Sequence, residues 1–120
     1  MKPTEFFSTY DLHDSVVVNI EYNPSELRVS ISLELCQWKQ TFYVETEPEM
    51  REGVLSFTGV TSFQIEPSSF QIDSNEIFEV KSTVSSRVIE IVLTGGDDVG
   101  VISFEAEEAI WNQTDSPNGA

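Results

Sequence analysis

Two runs near the amino terminus alternate between apolar and polar residues, which is the pattern of a half-buried β-strand. Residues 16–22 carry apolar side chains at even positions, and residues 27–35 carry them at odd positions. The Asn-Pro-Ser-Glu segment at residues 23–26 is a turn signal, because proline fixes φ and Asn and Ser favour turns. We therefore predict a hairpin. The residues predicted to share the core are Leu33, Val29, Ile31, Phe57 and Ile91.

Several later runs have the same character. Residues 38–44 place Trp38, Phe42 and Val44 at even positions, which predicts another strand. Residues 54–65 form the most aromatic strand candidate, and Gly59 within it indicates a bulge or bend. Residues 87–94 and 99–110 flank a Gly-Gly-Asp-Asp segment, which is a strong signal for a hairpin turn. Residues 70–72 form a short strand at best, and residues 77–80 form either an edge strand or one helical turn.

The remaining segments predict loops and a lid. Residues 45–53 are acidic, contain a proline and end in glycine, so we predict an exposed loop. Residues 1–15 have no strand period, and their aromatic residues suit one helical turn or a lid on the core. The sequence thus predicts one domain in residues 1–111 and a flexible polar tail in residues 112–120. The domain is all-β or mainly β: an antiparallel sandwich or partly open barrel of six to eight strands, with little helix.

Charge narrows the choice of partner. The 120 residues contain 21 acidic and 6 basic side chains, for a net charge of -15. Such a chain repels nucleic acid and anionic membranes and attracts a basic protein. The alternative interpretation is that the net acidity serves solubility alone. The single cysteine excludes an internal disulfide. No apolar run has the length of a signal peptide or a membrane helix, so we predict a cytoplasmic protein.

The candidate chemistry is sparse. His13 stands between Asp11 and Asp14, but a structural zinc site needs four ligands, and the chain has one histidine and one cysteine. We predict no metal and no cofactor, with Asp14 and Ser15 bonding backbone amides at a turn. Nothing in the sequence places His13 beside Cys36 as a catalytic base, so we predict a buried, unreactive Cys36 and a protein that is not an enzyme.

Two short segments carry a resemblance to a known group of proteins. Residues 12–15 read Leu-His-Asp-Ser before the first hairpin, and residues 57–60 read Phe-Thr-Gly-Val in a later aromatic strand. The chain resembles small bacterial β proteins that open with a Leu-His-Asp-Ser segment, most of them uncharacterised. Some resemble the immunity proteins that neutralise polymorphic toxins. The resemblance implies antiparallel strands and a protein-binding role, and it supplies no catalytic residues.

Two functional hypotheses follow. The first is an acidic protein-binding module, such as an immunity-type inhibitor of a basic toxin. Its predicted contact residues are Glu45, Glu47, Glu49, Glu52, Asp97 and Asp98. The alternative is a domain that binds a small ligand or a carbohydrate in a pocket lined by Trp38, Tyr43 or Trp111. A subunit that self-associates through an edge strand is a third option.

Overall fold

The computed structural model describes residues 1–46, 48–82, 87–95 and 97–114. Within these ranges a short helix, α1 (Pro3–Thr9), precedes the strands, and a 3₁₀ turn (Gln37–Lys39) follows the second strand. The strands are β1 (Val16–Asn23), β2 (Arg28–Cys36), β3 (Met50–Thr58), β4 (Thr61–Glu66), β5 (Asn75–Ser82), β6 (Val88–Gly95), β7 (Asp98–Glu105) and β8 (Glu108–Gln113). The predicted mainly β, antiparallel fold is confirmed, with α1 supplying the expected helical turn.

All the strands join one open sheet in the order β4-β7-β6-β5-β1-β2-β3-β8, with antiparallel pairing throughout. The junction between β1 and β5 is narrow, since only Val16↔Glu76 and Val17↔Asn75 pair across it. Each of these strands has a register shift just beyond the junction. The sheet therefore consists of two four-stranded halves that meet at a corner.

The two halves enclose the core between them. The ring of Phe57 in β3 lies 4.9 Å from that of Phe104 in β7, edge to face. Tyr22 in β1 stacks on Phe63 in β4 at 4.5 Å. Helix α1 adds Phe6, which is 1% exposed, to the same core. The five core residues predicted from the alternation are all buried, so the predicted face of β2 is correct.

The predicted strand at residues 38–44 is wrong. The chain leaves the sheet at Cys36 and makes a 3₁₀ turn in which the amide of Gln40 donates to the carbonyl of Gln37 at 2.9 Å. The alternation was incomplete because Gln40 occupies the even position between Trp38 and Phe42. The predicted loop at residues 45–53 is too long, because β3 begins at Met50 and pairs there with Cys36.

Two long predicted strands each divide into two. Gly59 has a φ of +65°, a left-handed conformation that glycine tolerates, and it separates β3 from β4. A Cβ at this position would lie 2.7 Å from Cγ of Glu107, so the close approach also favours glycine. Residues 99–110 divide between β7 and β8 in the same region, where the amide of Glu107 donates to the carbonyl of Thr58 at 2.9 Å.

Other differences concern the ends and the edges of the sheet. The run at residues 77–80, predicted as an edge strand or a helical turn, belongs to β5 inside the sheet, and residues 70–72 form no strand. Strand β8 continues to Gln113, two residues into the predicted tail, and residues 115–120 lie outside the described residues. Gly95 pairs with Asp98, as the predicted hairpin requires. None of the described helices has the length and apolar character needed to cross a membrane.

Candidate functional site

Large apolar side chains are exposed in the segment that follows β2. We call residues 37–46 the aromatic loop. Within it Trp38 is 51% exposed, Phe42 is 45% exposed and Val44 is 54% exposed. Other large apolar side chains are exposed elsewhere on the described surface, but this loop brings three of them together within seven residues. Exposed apolar surface of this kind commonly marks an interaction site.

A buried glutamine attaches the aromatic loop to the turn before β1. Gln40 is 5% exposed. Its Nε2 donates to the backbone oxygens of Asp11 at 2.7 Å and Cys36 at 2.9 Å, and its Oε1 accepts from the amide of Asp11 at 2.8 Å. The side chain therefore satisfies three backbone groups that would otherwise lose their hydrogen bonds on burial.

A second buried glutamine attaches the loop to the start of β3. Gln37 Nε2 donates to the carbonyl of Pro48 at 3.0 Å, and Gln37 Oε1 accepts from Nε of the buried Arg51 at 3.1 Å. The backbone amides of Gln37 and Trp38 both donate to the carbonyl of Glu49, at 2.7 and 3.2 Å. The side chains of Gln37 and Gln40, which precede and follow Trp38 in the sequence, are thus hydrogen-bonded in the interior, while the Trp38 side chain is exposed.

This attachment has a consequence for binding. A side chain held in place before it meets a partner loses less conformational entropy on association. Tryptophan is also the residue type most enriched among the side chains that dominate interface energies. The ring of Phe42 is held from the other side by an edge-to-face contact with Tyr10 at 5.4 Å. The aromatic loop therefore presents exposed aromatic side chains on a hydrogen-bonded backbone.

The structure brings part of the predicted acidic set to this loop. Glu45 lies in it, and Glu49 and Glu52 follow directly, all three exposed; Glu47 lies outside the described residues. Glu52 pairs in register with Glu34 of β2 on the outer face of the sheet. Like charges directly opposite each other destabilise a sheet. The acidic surface beside the loop is thus larger than predicted, and Glu34 is the member that the sequence analysis missed.

The other predicted acidic pair is elsewhere. Asp98 begins β7 at the end of the β6–β7 hairpin, and Asp97 precedes it. The order β7-β6-β5-β1-β2-β3 places five inter-strand steps between this hairpin and β3. These steps are counted along the sheet, and β3 and β7 face each other across the core, where Phe57 contacts Phe104. Glu52 and Asp98 therefore belong to different halves of the sheet.

Asp11, His13 and Asp14 make hydrogen bonds and ion pairs with one another and with Lys39. Asp11 Oδ1 accepts from the amide of His13 at 2.9 Å, as in an Asx turn. Asp14 has a φ of +70°, and its carboxylate contacts His13 Nδ1 at 3.1 Å and Lys39 Nζ at 3.3 Å. The prediction that Asp14 bonds backbone amides is therefore corrected: Asp11 has that role. Across the described ranges, no three His, Cys, Asp or Glu side chains are placed to hold a metal ion.

Cys36 is buried, as predicted, and is 2% exposed. Its amide donates to Ser15 Oγ at 2.8 Å, so Ser15 acts as an acceptor within the turn before β1. Burial raises the pKa of the Cys36 thiol, and the nearby Asp14 carboxylate raises it further. At neutral pH the side chain is therefore a thiol, and the thiolate is the form that acts as a nucleophile.

The three aromatic residues named for the alternative hypothesis lie in different environments. Trp38 is exposed on the aromatic loop, whereas Trp111 in β8 packs against the core beside Gly53. Tyr43 is half-buried. Five open grooves lie along the surface of the described ranges, and none of these five is lined by Trp38, Tyr43 or Trp111.

No protein-family model matches this chain, and no curated protein or solved structure is significantly similar to it. The resemblance to small bacterial β proteins therefore stays a prediction. The case for function depends on the geometry of the aromatic loop and on the charge of the chain.

Removing the side chain of Gln40 is expected to destabilise the protein. Gln40→Ala leaves buried backbone groups of Asp11 and Cys36 without their partner, and we expect the free energy of unfolding to fall by about 1–3 kcal/mol. Urea denaturation measures this change. Gln64→Ala, at an exposed position in β4, is the control and should stay within about 0.5 kcal/mol of wild type. Equal stability of the two variants would show that the hydrogen bonds of Gln40 do not hold the loop.

Proposed function

We propose that this protein is a non-enzymatic protein-binding module that recognises a basic protein through the aromatic loop and the carboxylates beside it. An immunity-type inhibitor that neutralises a basic toxin is the form of this function that we favour. One observation supports it above the others. Trp38 and Phe42 are exposed in a loop whose buried Gln37 and Gln40 side chains bond to the neighbouring backbone. Glu45 lies in the same loop, and Glu49 follows it.

The charge of the chain favours a basic partner over other occupants of this surface. A second copy would bring another net charge of -15 against the same carboxylates, and like charges juxtaposed at an interface cost binding energy. Nucleic acid is disfavoured for the same reason. A basic protein gains from steering by the acidic surface during encounter and from burial of the aromatic side chains in the final complex.

The carbohydrate-binding alternative has weaker support. It needs aromatic rings gathered around a pocket with convergent polar groups. Here Trp38 and Trp111 occupy different environments, one exposed on a loop and one packed against the core. The distribution of aromatic residues therefore favours recognition of a protein surface.

The charge contribution is testable through association rates. The partner is first captured in a pull-down that uses the wild-type protein as bait. We expect the captured partner to carry a positive net charge. Replacing Glu45, Glu47, Glu49 and Glu52 with Gln removes four negative charges and keeps the size of the side chains. We expect the association rate at low salt to fall roughly tenfold, and its dependence on salt to weaken, because steering by charge speeds encounter and salt screens it.

A matched variant controls for the change in total charge. It replaces four carboxylates on β1, β4, β6 and β7 with Gln: Glu21, Glu66, Glu90 and Glu105. Association should slow less in this variant than in the loop variant, because these four carboxylates lie outside the aromatic loop and the acidic residues that follow it. A partner with negative net charge, or equal association rates for wild type and both variants at two salt concentrations, would contradict the proposal.

A further inference from the structure

A groove of about 480 Å³ lies next to the aromatic loop. It runs between the end of α1, residues 11–13 and β5, and three aromatic rings line it: Phe7, Tyr10 and Phe78. Phe7 and Tyr10 are half-buried, whereas Phe78 is 57% exposed. The groove therefore offers aromatic surface that is accessible from solvent.

A β-bulge places Phe78 in this groove. The register between β5 and β6 shifts between Ile77 and Glu79, so Phe78 is the extra residue on β5. Bulges redirect side chains, and they are frequent beside functional sites. The ring of Phe78 lies 6.0 Å from the imidazole of His13, on the opposite wall. Without the bulge, regular alternation would not give consecutive residues Phe78 and Glu79 access to the same groove.

The charge of the groove is negative. Asp11 and Glu79 line it, and both are exposed. Lys39 also lines it, but its ammonium contacts Asp14 at 3.3 Å. Asp11 and Glu79 carry two negative charges, and the positive charge of Lys39 is balanced by Asp14 beside the groove. The net charge of the site is therefore about -2 with His13 neutral.

The groove and the aromatic loop share a boundary. The ring of Tyr10 lines the groove and contacts Phe42 of the loop at 5.4 Å. Lys39 also lines the groove, and its Nζ lies 5.3 Å from the centre of the Trp38 ring. A protein bound on the aromatic loop would therefore reach the groove with neighbouring side chains.

We propose that this groove receives an arginine side chain of the basic partner, an inference that rests on the function proposed above. A guanidinium stacks on aromatic faces and donates in a fixed fork to carboxylate oxygens, which matches the exposed ring of Phe78 in a groove that Asp11 and Glu79 also line. The ammonium of a lysine lacks the planar shape that stacks, so arginine is the better fit.

The groove is tested with N-acetyl-arginine amide as the probe, titrated into the ¹⁵N-labelled wild-type protein and followed by NMR. We expect saturable shifts at the amides of Phe78 and Glu79 with a dissociation constant in roughly the millimolar range, as suits a single side chain. The citrulline analogue is neutral and nearly the same shape, and it should give no saturable shift. Citrulline binding as tight as arginine binding, or arginine shifts absent from the groove, would overturn the proposal.

Three variants and a second probe sharpen the result. Phe78→Ala and Glu79→Gln should each weaken arginine binding roughly two- to fivefold. Glu21→Gln, on β1 in the other half of the sheet, removes the same charge as Glu79→Gln and should leave the affinity unchanged. N-acetyl-lysine amide should bind more weakly than the arginine probe. Equal binding of the two probes would overturn the assignment to arginine.

The two proposals fail separately. If the loop variant slows association with the partner and the arginine probe does not bind, the groove assignment is wrong and the proposed function stands. If the probe binds in the groove and the loop variant associates like wild type, the groove binds a guanidinium, and both the proposed function and the assignment to an arginine of the basic partner are contradicted.

Discussion

Replacing Phe57 with alanine is expected to lower the free energy of unfolding by about 3–5 kcal/mol, the usual range for truncating a buried phenylalanine. Phe57 is fully buried in β3 and packs edge to face against Phe104 of β7 at 4.9 Å. Its ring joins the two halves of the sheet across the core. The loss combines the transfer free energy of the ring with the cavity that remains. Equilibrium unfolding in urea measures it.

The same substitution at an exposed phenylalanine is the control. Phe78→Ala removes a side chain that is 57% exposed, and it should change the free energy of unfolding by less than about 1 kcal/mol. This control also shows whether the variant used to test the groove is folded. A small loss for Phe57→Ala would mean that the two halves of the sheet do not depend on this contact.

Replacing Trp38 with alanine is expected to weaken binding to the basic partner by about 2 kcal/mol or more, which is roughly 30-fold. The backbone at Trp38 is fixed by the hydrogen bonds of Gln37 and of its own amide, so the loop loses little backbone entropy on binding. The loss should appear mainly in the dissociation rate, because short-range packing forms after encounter. Surface plasmon resonance with the captured partner measures both rates.

Two variants make this result specific to the aromatic loop. Trp38→Phe keeps an aromatic ring and should recover part of the affinity. Val99→Ala removes another exposed apolar side chain, 55% exposed on the β6–β7 hairpin, and should leave binding unchanged. Wild-type affinity in Trp38→Ala would exclude the loop as the centre of the interface.

The two predictions depend on features that the sequence reveals to different degrees. The burial of Phe57 followed from alternation along a strand, and a shift of one residue would have exchanged the two faces. The exposure of Trp38 contradicted the same reasoning, because its alternation with Phe42 and Val44 predicted a strand. The signal that distinguished the two cases was Gln40, a polar residue at a position where the pattern required an apolar one.

The candidate site was predicted only in part. Glu45, Glu49 and Glu52 were identified from the acidity of their segment, and the structure places them in or next to the aromatic loop. Asp97 and Asp98 were grouped with them on charge alone, and Asp98 belongs to the other half of the sheet from Glu52. Glu34 occupies a polar position of the alternating run at residues 27–35, and its register opposite Glu52 depends on how β2 and β3 pair. Charge can be counted in a sequence, but its distribution over a surface depends on strand order.

The sequence by itself determined the strand-rich class, the residues that face the core, the principal hairpins and the acidity of the surface. Each of these follows from the side-chain period of a strand, from turn chemistry or from composition, which act locally or need no structure. Only the tertiary structure decided that β1 pairs with β5, that Phe78 lies on a bulge and that the large apolar side chains of the aromatic loop are exposed. The loop is attached by hydrogen bonds between Gln40 and Asp11, which are 29 residues apart. Contacts of that separation depend on how the whole chain packs, and no local pattern encodes them.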